Sequence, residues 1–464
     1  MRRVLVANRG EIAVRIVRAC HDLGLEAYVA HSLPDRDDLA CTIADGTVCL
    51  GPGEAAASYR NVPAVLYAAA RVGADAVHPG YGFLAEDPAF ARACADVGLT
   101  FVGPSAEVIA LMGDKIAGRA RMREAGVPVL PGSVGAVAEL GQARAVADEI
   151  GYPVILKAAA GGGGRGIAVV HHHADLPEAW QRVAAAAASL FGDPRVFVER
   201  FVAGGRHVEV QVLGDGRDVV LLGERDCSVQ RRNQKIVEEC PAPALPRETT
   251  DVLREAVARG GRTLGYSGAG TFEFIVEDSS RPYFMEMNTR LQVEHTVTEE
   301  VFGLDIVTAM LRIAAGGTVP EPPRPSGWAI EARVVAEDPA RGWLPSAGRL
   351  GEVHLPAGPG VRVDSHLRGG AMVSPLYDSL LAKVVARGCD RDQARARLHR
   401  ALRELRVDGV ATNRDVLLRV LDHPSFAAGH YTVDLLDQVG TEPLPSPTGG
   451  TGVLVSAQRG THDG

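Results

Sequence analysis

Short apolar runs alternate with amphipathic segments through the first 113 residues, and this alternation strongly restricts the possible folds. Residues 4–8 form a buried-strand pattern, Gly10 follows, and Ile12, Ile16 and Ala19 then recur at helical spacing. The same order predicts the later elements, which are strands at 27–31, 76–77 and 100–102 and helices at 62–72 and 89–97. Strands that alternate with helices form a parallel sheet, so residues 1–113 are predicted to be one doubly wound α/β domain.

The length of the chain requires further units beyond this first one. Its 464 residues are about three times the length of a typical domain, so we expect two or three packed units. With 46% hydrophobic and 23% charged residues, the composition is that of a globular protein and excludes a disordered or collagen-like chain.

Several features argue against a membrane or nucleic acid as the main partner. No apolar stretch reaches the roughly 18 to 20 residues of a membrane-spanning helix, and the first residues run into a strand pattern without signal-peptide features. The net charge of −8 and the lack of basic clusters argue against binding to a phosphate backbone. The seven cysteines form no CxxC motif and are interpreted as reduced residues. We therefore expect a cytoplasmic protein.

Lysine is unusually rare in this chain. Of 49 basic residues only four are lysines, Lys115, Lys157, Lys235 and Lys383. A chain that uses arginine almost everywhere is expected to keep lysine where a compact point charge is needed. Three of the four fall in motifs described below, whereas Lys383 is interpreted as a chance occurrence.

A glycine-rich hairpin is predicted in the second region of the chain. A strand pattern at 152–158 carries Lys157 among apolar neighbours, residues 161–166 are mostly glycine, and 167–170 is the returning strand. Glycines let backbone amides approach a phosphate closely, and a lysine in such a strand needs an anionic partner. A flexible loop is the alternative, but lysine and glycines together favour phosphate binding.

Two further strand patterns, 270–276 and 283–288, are separated by a turn composition and predict a second hairpin. Pairing brings Glu273 and Glu286 side by side, with Asn288 on the same face as Glu286. Two carboxylates and an amide oxygen suit Mg²⁺ that bridges nucleotide phosphates. The polar face of a surface sheet would look similar, but the neighbouring Phe, Ile and Met residues disfavour it.

Five motifs in sequence order resemble the biotin carboxylases of the ATP-grasp superfamily, and the resemblance runs from about residue 2 to 440. They are Asn8-Arg9-Gly10-Glu11-Ile12-Ala13, His78-Pro79-Gly80-Tyr81-Gly82-Phe83-Leu84, the 157–166 hairpin, Glu224-Arg225-Asp226-Cys227-Ser228, and 286–294.

The resemblance implies a fold that is α/β and α+β. It consists of a doubly wound parallel α/β domain at 1–113, an ATP-grasp domain at 114–330 with a mobile glycine-rich lid at about 132–203, and a C-terminal mixed β/α domain at 331–440. Residues 441–464 are rich in Thr, Pro, Gly and Ser, and we expect them to form a disordered tail.

The resemblance also implies ATP-dependent carboxylation of biotin by bicarbonate through carboxyphosphate, with Mg²⁺ or in its place Mn²⁺. The residues that it implies for ATP are Lys115, Lys157, Gly163 and Gly164 at the phosphates, Glu199, Arg200, Phe201 and Val202 around the adenine, and His207, Gln230 and Asn233 nearby. The implied metal ligands are Glu273, Glu286 and Asn288, of which the two carboxylates also belong to the ATP site.

The loop after the second hairpin carries the implied carboxylation chemistry. Arg290 can hold the planar bicarbonate anion through paired hydrogen bonds, and Lys235, Gln292 and the Val293 amide complete the site. Glu294 would be the general base. The residues implied for biotin are Tyr81, Arg290 and Arg333, and Arg333 would stabilise the biotin enolate.

One departure and one absence bear on these expectations. Asn233 stands where many relatives have His, which puts one nucleotide contact in doubt. No biotin-attachment segment of the Ala-Met-Lys-Met type is found, and no lysine follows Lys383. We therefore expect biotin on a separate carrier protein or domain, a carboxyltransferase subunit that passes the carboxyl group to an acyl-CoA such as acetyl- or propionyl-CoA, and a homodimer.

Two other functions stay open at this point. One is a different ATP-grasp ligase, which makes an acyl phosphate that an amine captures. The other is a non-catalytic nucleotide-binding subunit of a larger carboxylase complex.

Overall fold

The computed structural model describes residues 1–159 and 166–442. Gly163 and Gly164 of the predicted lid, and residues 443–464 of the predicted tail, lie outside the described residues.

The N-terminal part is a five-stranded parallel sheet in the order β3-β2-β1-β4-β5, which confirms the predicted doubly wound α/β unit. Its elements are β1 Arg3–Val6, α1 Gly10–Asp22, β2 Glu26–Ser32, α2 Leu39–Ile43, β3 Gly46–Gly51, α3 Val62–Val72, β4 Ala76–His78, α4 Pro88–Asp96, β5 Thr100–Phe101 and α5 Ala106–Gly113. The edge strand β3 was not predicted, because its apolar run is limited to residues 48–50 and its side chains are only half-buried or exposed.

A small three-stranded antiparallel sheet follows, in the order β7-β6-β8. The elements of this part are α6 Lys115–Glu124, α7 Leu140–Ile150, β6 Val154–Ala158, β7 Ile167–Val170, α8 Leu176–Phe191 and β8 Val196–Arg200. The predicted hairpin is confirmed in its strands, which pair Val154 with Val170 and Lys157 with Ile167. Lys157 is therefore carried by the central strand of this sheet.

The rest of the chain is built around one eight-stranded antiparallel sheet in the order β13-β12-β9-β10-β11-β14-β21-β19. Its first half comprises β9 Arg206–Asp215, β10 Val219–Arg231, β11 Gln234–Cys240, α9 Arg247–Leu264, β12 Ser267–Glu277, β13 Arg281–Asn288, α10 His295–Phe302 and α11 Ile306–Ala314. Strand β14, Trp328–Val335, pairs with β11 and continues the sheet without interruption across residues 330 and 331. The ATP-grasp and C-terminal parts therefore share one sheet.

The remaining elements complete this sheet and cover one face of it. They are β15 Glu337–Asp338, β16 Leu344–Pro345, β17 Gly348–Arg349, β18 Val353–His354, β19 Val361–Ser365, β20 Met372–Val373, β21 Leu380–Gly388, α12 Arg391–Glu404, β22 Arg406–Val407, α13 Arg414–Asp422 and α14 Pro424–Ala427. Helix α12 buries Leu398 and Leu402 against Val384 of β21 and its neighbours. Strands β18 and β19 are separated by a segment that contains Pro356 and Pro359, which lack the N–H groups that a continuous strand needs.

Among the described residues, no helix combines the length and the apolar character needed to cross a bilayer. All seven cysteines are free. Cys49 and Cys389 are exposed.

Candidate functional site

The β12–β13 hairpin places two carboxylates side by side, as predicted. Glu273 pairs with Glu286 in the register of the two strands. The turn residues Asp278 and Ser279 both have left-handed backbone angles, φ 50° and 56°, which is typical of the tight turns that join hairpin strands. Asn288, two residues beyond Glu286, donates to Glu273 Oε1 over 2.7 Å. The predicted metal ligands therefore form one cluster.

This cluster faces a cleft of about 1030 Å³ between the N-terminal sheet, the small sheet and the large sheet. Most of the predicted site residues line it, namely Tyr81, Lys115, Lys157, Arg200, Phe201, Val202, His207, Gln230, Asn233, Lys235, Glu273, Glu286, Asn288, Arg290, Gln292, Val293 and Arg333. Glu199 and Glu294 are buried and do not line the cleft. Both are bonded to cations that line it, so one constellation contains all the described candidates.

Two lysines at one end of the cleft are held by carboxylates. Lys115 is the first residue of α6, whose N-cap Asp114 accepts hydrogen bonds from the amides of residues 116 and 117. Its ammonium contacts the Glu286 carboxylate, and although burial opposes the charge, this contact raises the pKa of Lys115. Lys157 donates to Glu199 Oε2 over 2.7 Å. Lys115 therefore stays charged, and both side chains can exchange their carboxylate partners for phosphate oxygens.

A histidine and an amide flank the cluster of Glu273, Glu286 and Asn288. Gln230 Nε2 donates to His207 Nδ1 over 2.8 Å, which leaves the ring proton on Nε2, 3.1 Å from Glu273 Oε2. Asn233 lies in the β10–β11 turn with φ 66° and lines the cleft. Asparagine adopts this left-handed conformation more readily than most residues, so the departure from His suits the turn.

The donor set of the hairpin fits Mg²⁺. Glu273 and Glu286 offer carboxylate oxygens and Asn288 an amide oxygen, which are the hard ligands that Mg²⁺ prefers. His207, Glu209 and Glu273 could also converge on an ion, since their donor atoms lie within 4.8 Å of one another. The Lys235 ammonium binds Glu209 and Glu273, and Lys115 binds Glu286, so an ion at either position would replace ammonium contacts.

The guanidinium of Arg290 is aimed into the cleft by three contacts. Its Nε donates to Glu86 Oε2 over 2.8 Å, and its two terminal nitrogens donate to Asn288 Oδ1 and Gln292 Oε1. Glu86 also accepts the amide proton of Thr289 over 3.1 Å. Glu86 belongs to the N-terminal domain and was not predicted, because nothing in its local sequence distinguishes it from a residue that precedes a helix. It fixes both the backbone and the side chain of the loop.

The ammonium of Lys235 is surrounded by three buried carboxylates. Its Nζ lies 2.6 Å from Glu209, 2.9 Å from Glu273 and 2.7 Å from Glu294. Burial disfavours the ammonium, but these carboxylates outweigh burial and raise the pKa of Lys235 well above its usual value. The lysine is therefore a permanent cation at neutral pH.

Glu294 lies between two cations. Its Oε1 faces Lys235 and its Oε2 accepts from Arg333 over 2.9 Å, while Arg225 adds charge from behind. Burial alone would favour the protonated acid, but Lys235 and Arg333 outweigh it and lower the pKa of Glu294 well below its usual value. Glu294 is therefore ionised and able to accept a proton.

Arg333 connects this base to a second pair of buried acids. Besides Glu294 it contacts Glu238 at 2.5 Å. Burial raises the pKa of Glu238 to about 8 against the opposing charge of Arg333, and burial raises the pKa of Glu331 to about 7. Three acids thus lie near one guanidinium. The raised pKa values of Glu238 and Glu331 allow both to be protonated near neutral pH. On the same side of the cleft, the Tyr81 hydroxyl donates to Glu11.

Lys383 is not a chance lysine, so the interpretation made from the sequence was wrong. Its side chain is fully buried, and its Nζ donates to the Val293 carbonyl over 3.0 Å and lies 3.1 Å from Glu11 Oε2. The rarity of lysine was the available signal. No motif surrounded Lys383, however, and Val293 is 90 residues away in the sequence.

Three family models match consecutive parts of the chain. Residues 1–109 match "Biotin carboxylase, N-terminal domain", residues 114–322 match "Carbamoyl-phosphate synthase L chain, ATP binding domain", and residues 331–438 match "Biotin carboxylase C-terminal domain".

Similar proteins cover nearly the whole chain. A biotin carboxylase of Pseudomonas aeruginosa is 48% identical over 443 residues, which are 94% of this chain and 98% of the relative. The crystal structure of a biotin carboxylase complex with β,γ-ATP from Campylobacter jejuni superposes with a TM-score of 0.92 at 43% identity and covers 94% of this chain and 98% of that one.

A third relative is the biotin carboxylase domain dimer of the Hydrogenobacter thermophilus 2-oxoglutarate carboxylase, crystallised with MgADP, ADP and bicarbonate. It has a TM-score of 0.91 at 41% identity and covers 94% of this chain and 97% of that one. Full-length identity above 40%, the three matching family models and the common fold lead to one conclusion. The chain belongs to the biotin carboxylase family of ATP-dependent ligases.

Proposed function

We propose that this protein uses ATP and bicarbonate, through carboxyphosphate, to carboxylate biotin carried on a separate protein or domain, and that an acyl-CoA such as acetyl- or propionyl-CoA finally receives the carboxyl group. The observation that carries the proposal is the position of Glu294. It is an ionised, buried carboxylate between Lys235, near the metal cluster, and Arg333, on the Tyr81 side of the cleft.

The residues divide the work by their positions. Lys115 and Lys157 would exchange their carboxylate partners for ATP phosphates, and Glu273, Glu286 and Asn288 would hold Mg²⁺. Bound there, Mg²⁺ neutralises phosphate charge. The adenine would lie among residues 199–202 with His207 and Gln230 nearby, and Asn233 would border it. Phosphoryl transfer needs mainly this positioning and charge neutralisation.

Bicarbonate would lie against Arg290, Gln292, the Val293 amide and Lys235. Glu294 would remove its proton, so that a bicarbonate oxygen attacks the γ-phosphorus and ADP leaves. The product carboxyphosphate then breaks down to CO₂ and phosphate, and the phosphate takes the N1′ proton of biotin. Arg333 would stabilise the resulting enolate, with Tyr81 and Arg290 completing the biotin site, while the enolate attacks CO₂.

The direct test measures incorporation of [¹⁴C]bicarbonate into free biotin with ATP and Mg²⁺. We expect acid-labile label in biotin, one ADP formed for each carboxybiotin, and loss of both in Glu294→Gln. If biotin does not change the rate of ATP cleavage, but an added amine is converted to a product, another ATP-grasp ligase would be favoured. Unchanged carboxylation in a complex that contains Glu294→Gln would favour a non-catalytic nucleotide-binding subunit.

We also propose a carboxyltransferase partner, a homodimer and a cytoplasmic location. A carboxyltransferase must follow, because this cleft provides the biotin chemistry alone. The dimer in the Hydrogenobacter structure supports a homodimer, and seven free cysteines suit the reducing cytoplasm. Light scattering should give twice the mass of one chain. Purification of the tagged protein from its native cells should recover a biotinylated carrier, and the recovered complex should carboxylate an acyl-CoA in preference to pyruvate or 2-oxoglutarate.

A further inference from the structure

The amine of Lys383 lies where three parts of the fold meet. Lys383 is on β21 of the C-terminal part, Glu11 is in α1 of the N-terminal domain, and Val293 is in the loop that follows β13. Nζ donates to the Val293 carbonyl over 3.0 Å, is 3.1 Å from Glu11 Oε2, and is 3.9 Å from Asp364 Oδ2. The side chain is fully buried, so protein groups and not bulk solvent surround the amine.

One of these contacts acts on the loop proposed to hold bicarbonate. The Val293 carbonyl belongs to the peptide bond that joins Val293 to Glu294. Holding this carbonyl fixes the backbone between the Val293 amide, a proposed bicarbonate donor, and the proposed base. A buried carbonyl that lost this charged donor would be left without a hydrogen bond, which disfavours the present orientation of this peptide group.

The other contact leads to the proposed biotin site. Glu11 uses one carboxylate oxygen to accept from the Tyr81 hydroxyl and presents the other to Lys383. Tyr81 and Arg333 line the same cleft. Lys383 is thus joined to the bicarbonate loop directly and to the biotin-contacting tyrosine through a single carboxylate.

Charge balance makes this arrangement rigid. Burial lowers the pKa of Lys383, but Glu11, Glu331 and Asp364 outweigh burial and raise it, so the amine stays an ammonium. Burial in turn raises the pKa of Glu11, and Lys383 and the Tyr81 hydroxyl oppose that rise. Removing the ammonium would leave Glu11 as a buried acid without its counter-charge.

We propose that Lys383 is a positioning residue that holds the bicarbonate loop and Tyr81 at one fixed separation, so that loss of its ammonium weakens the use of bicarbonate and of biotin together while the use of ATP stays intact. The inference rests on the proposed function. ATP use is spared because the nucleotide-side cations Lys115 and Lys157 are held by Glu286 and Glu199, and Lys383 touches neither pair.

The test compares Lys383→Met with Val384→Ala. The methionine keeps the length of the side chain without its charge, whereas Val384 is the next residue of β21 and packs into the opposite core. For Lys383→Met we expect KM for bicarbonate and KM for biotin each to rise about tenfold or more, the loss typical of a hydrogen bond from a charged donor, with KM for ATP within about twofold. Val384→Ala should lower the melting temperature and change no KM.

A second variant covers the case in which Lys383→Met does not fold. Glu11→Gln still accepts from Tyr81 but no longer neutralises Lys383. Among the described residues, Glu11 makes no hydrogen bond to residues 290–294. A rise in KM for bicarbonate in this variant would therefore show that Glu11 acts on the loop by way of Lys383. If Glu11 and Lys383 had a purely structural role, the substitution would lower only the amount of active protein.

The proposal is overturned if folded Lys383→Met keeps both KM values within about twofold of the wild type, or raises KM for ATP to the same extent. It is also overturned if Lys383→Met is unfolded and Glu11→Gln leaves KM for bicarbonate unchanged. Failure of the proposed function is a separate result, since the wild-type protein itself would then place no label in biotin.

Discussion

Lys235 Nζ and Glu294 Oε1 lie 2.7 Å apart, so the proposed base and one of the proposed anion-binding cations neutralise each other in the free protein. This pairing keeps Glu294 ionised but also makes it a weak base, because its pKa is held well below the usual value. We infer that bicarbonate, by drawing the Lys235 charge toward itself, makes Glu294 more basic at the moment when a proton must be accepted.

Lys235→Met tests this charge cluster. Glu209, Glu273 and Glu294 would lose their shared cation, and breaking a buried pair in this way costs about 3–5 kcal/mol of unfolding free energy near neutral pH. Bicarbonate-dependent ATP hydrolysis should fall to background.

The stability deficit of Lys235→Met relative to the wild type should depend on pH. Lys235 lowers the pKa of Glu273 and of Glu294 against burial, so in its absence burial should raise both folded-state pKa values above the unfolded value of about 4.3. The folded variant then binds more protons than its unfolded state, and its stability falls as pH increases. Urea unfolding should show a larger deficit relative to the wild type at pH 8 than at pH 5.5. An equal deficit at both pH values would contradict the charge argument.

For Glu238→Gln we expect the opposite pH dependence of stability relative to the wild type. Burial raises its folded-state pKa to about 8, so its contribution to stability is fully present below the unfolded pKa and is lost as pH rises from about 4.3 to about 8. Glu238→Gln removes this titration but keeps a polar group next to Arg333. The variant should therefore gain stability relative to the wild type as pH rises from 5.5 to 8.5, by about 1.4 kcal/mol for each pH unit crossed below the folded-state pKa. Thermal melts at the two pH values measure this, with the exposed Glu255→Gln as a control, and a pH-independent difference would refute it.

Arg290 and Glu86 test how the anion site is built. Lysine cannot reproduce the three directed contacts of this guanidinium, so Arg290→Lys should raise KM for bicarbonate by about 10- to 100-fold. Glu86→Gln keeps one acceptor without the charge and should give a smaller rise, about three- to tenfold. Steady-state kinetics with bicarbonate and ATP varied separately measure both effects. A larger effect on KM for ATP than for bicarbonate in either variant would show that the loop serves the nucleotide.

Glu286 tests the metal cluster. Glu286→Gln removes the negative charge of one proposed Mg²⁺ ligand, which is also the partner of Lys115. The Mg²⁺ concentration that gives half-maximal activity should therefore rise about tenfold or more. Asp278→Asn, in the turn of the same hairpin, is the matched control, because asparagine also adopts the left-handed conformation found there. Identical Mg²⁺ titration curves for the wild type and Glu286→Gln would show that Glu286 is not a metal ligand.

The sequence predicted those parts of the site that depend on local pattern. Glu273 and Glu286 could be placed on neighbouring strands of one hairpin, because two strand patterns separated by a short turn predict that unit. Their direct pairing also needs a register shift between Glu273 and Phe274, since a regular register from the turn would put Glu273 opposite Met285. The parallel N-terminal sheet followed from alternating strand and helix patterns. Its edge strand β3 did not, because its short apolar run, residues 48–50, is bounded by glycine and threonine and its side chains are only half-buried or exposed.

Residues brought in from distant parts of the chain were missed. Glu86 contacts Thr289 across 203 positions, and Lys383 contacts Val293 across 90. Neither has a neighbouring motif, and periodicity carries no information about which distant segments meet. Burial gives Lys383 its importance, and burial of a lysine can be inferred only when its carboxylate partners are known.

Transfer of an oxygen atom from bicarbonate to phosphate tests the central claim most directly. The protein is mixed with ATP, Mg²⁺, biotin and freshly dissolved ¹⁸O-labelled bicarbonate, and the phosphate is isolated before the label exchanges with water. If a bicarbonate oxygen attacks the γ-phosphorus after Glu294 has taken its proton, each phosphate carries one ¹⁸O atom, and Glu294→Gln forms almost none. Phosphate that is free of the label while biotin becomes carboxylated would contradict the account.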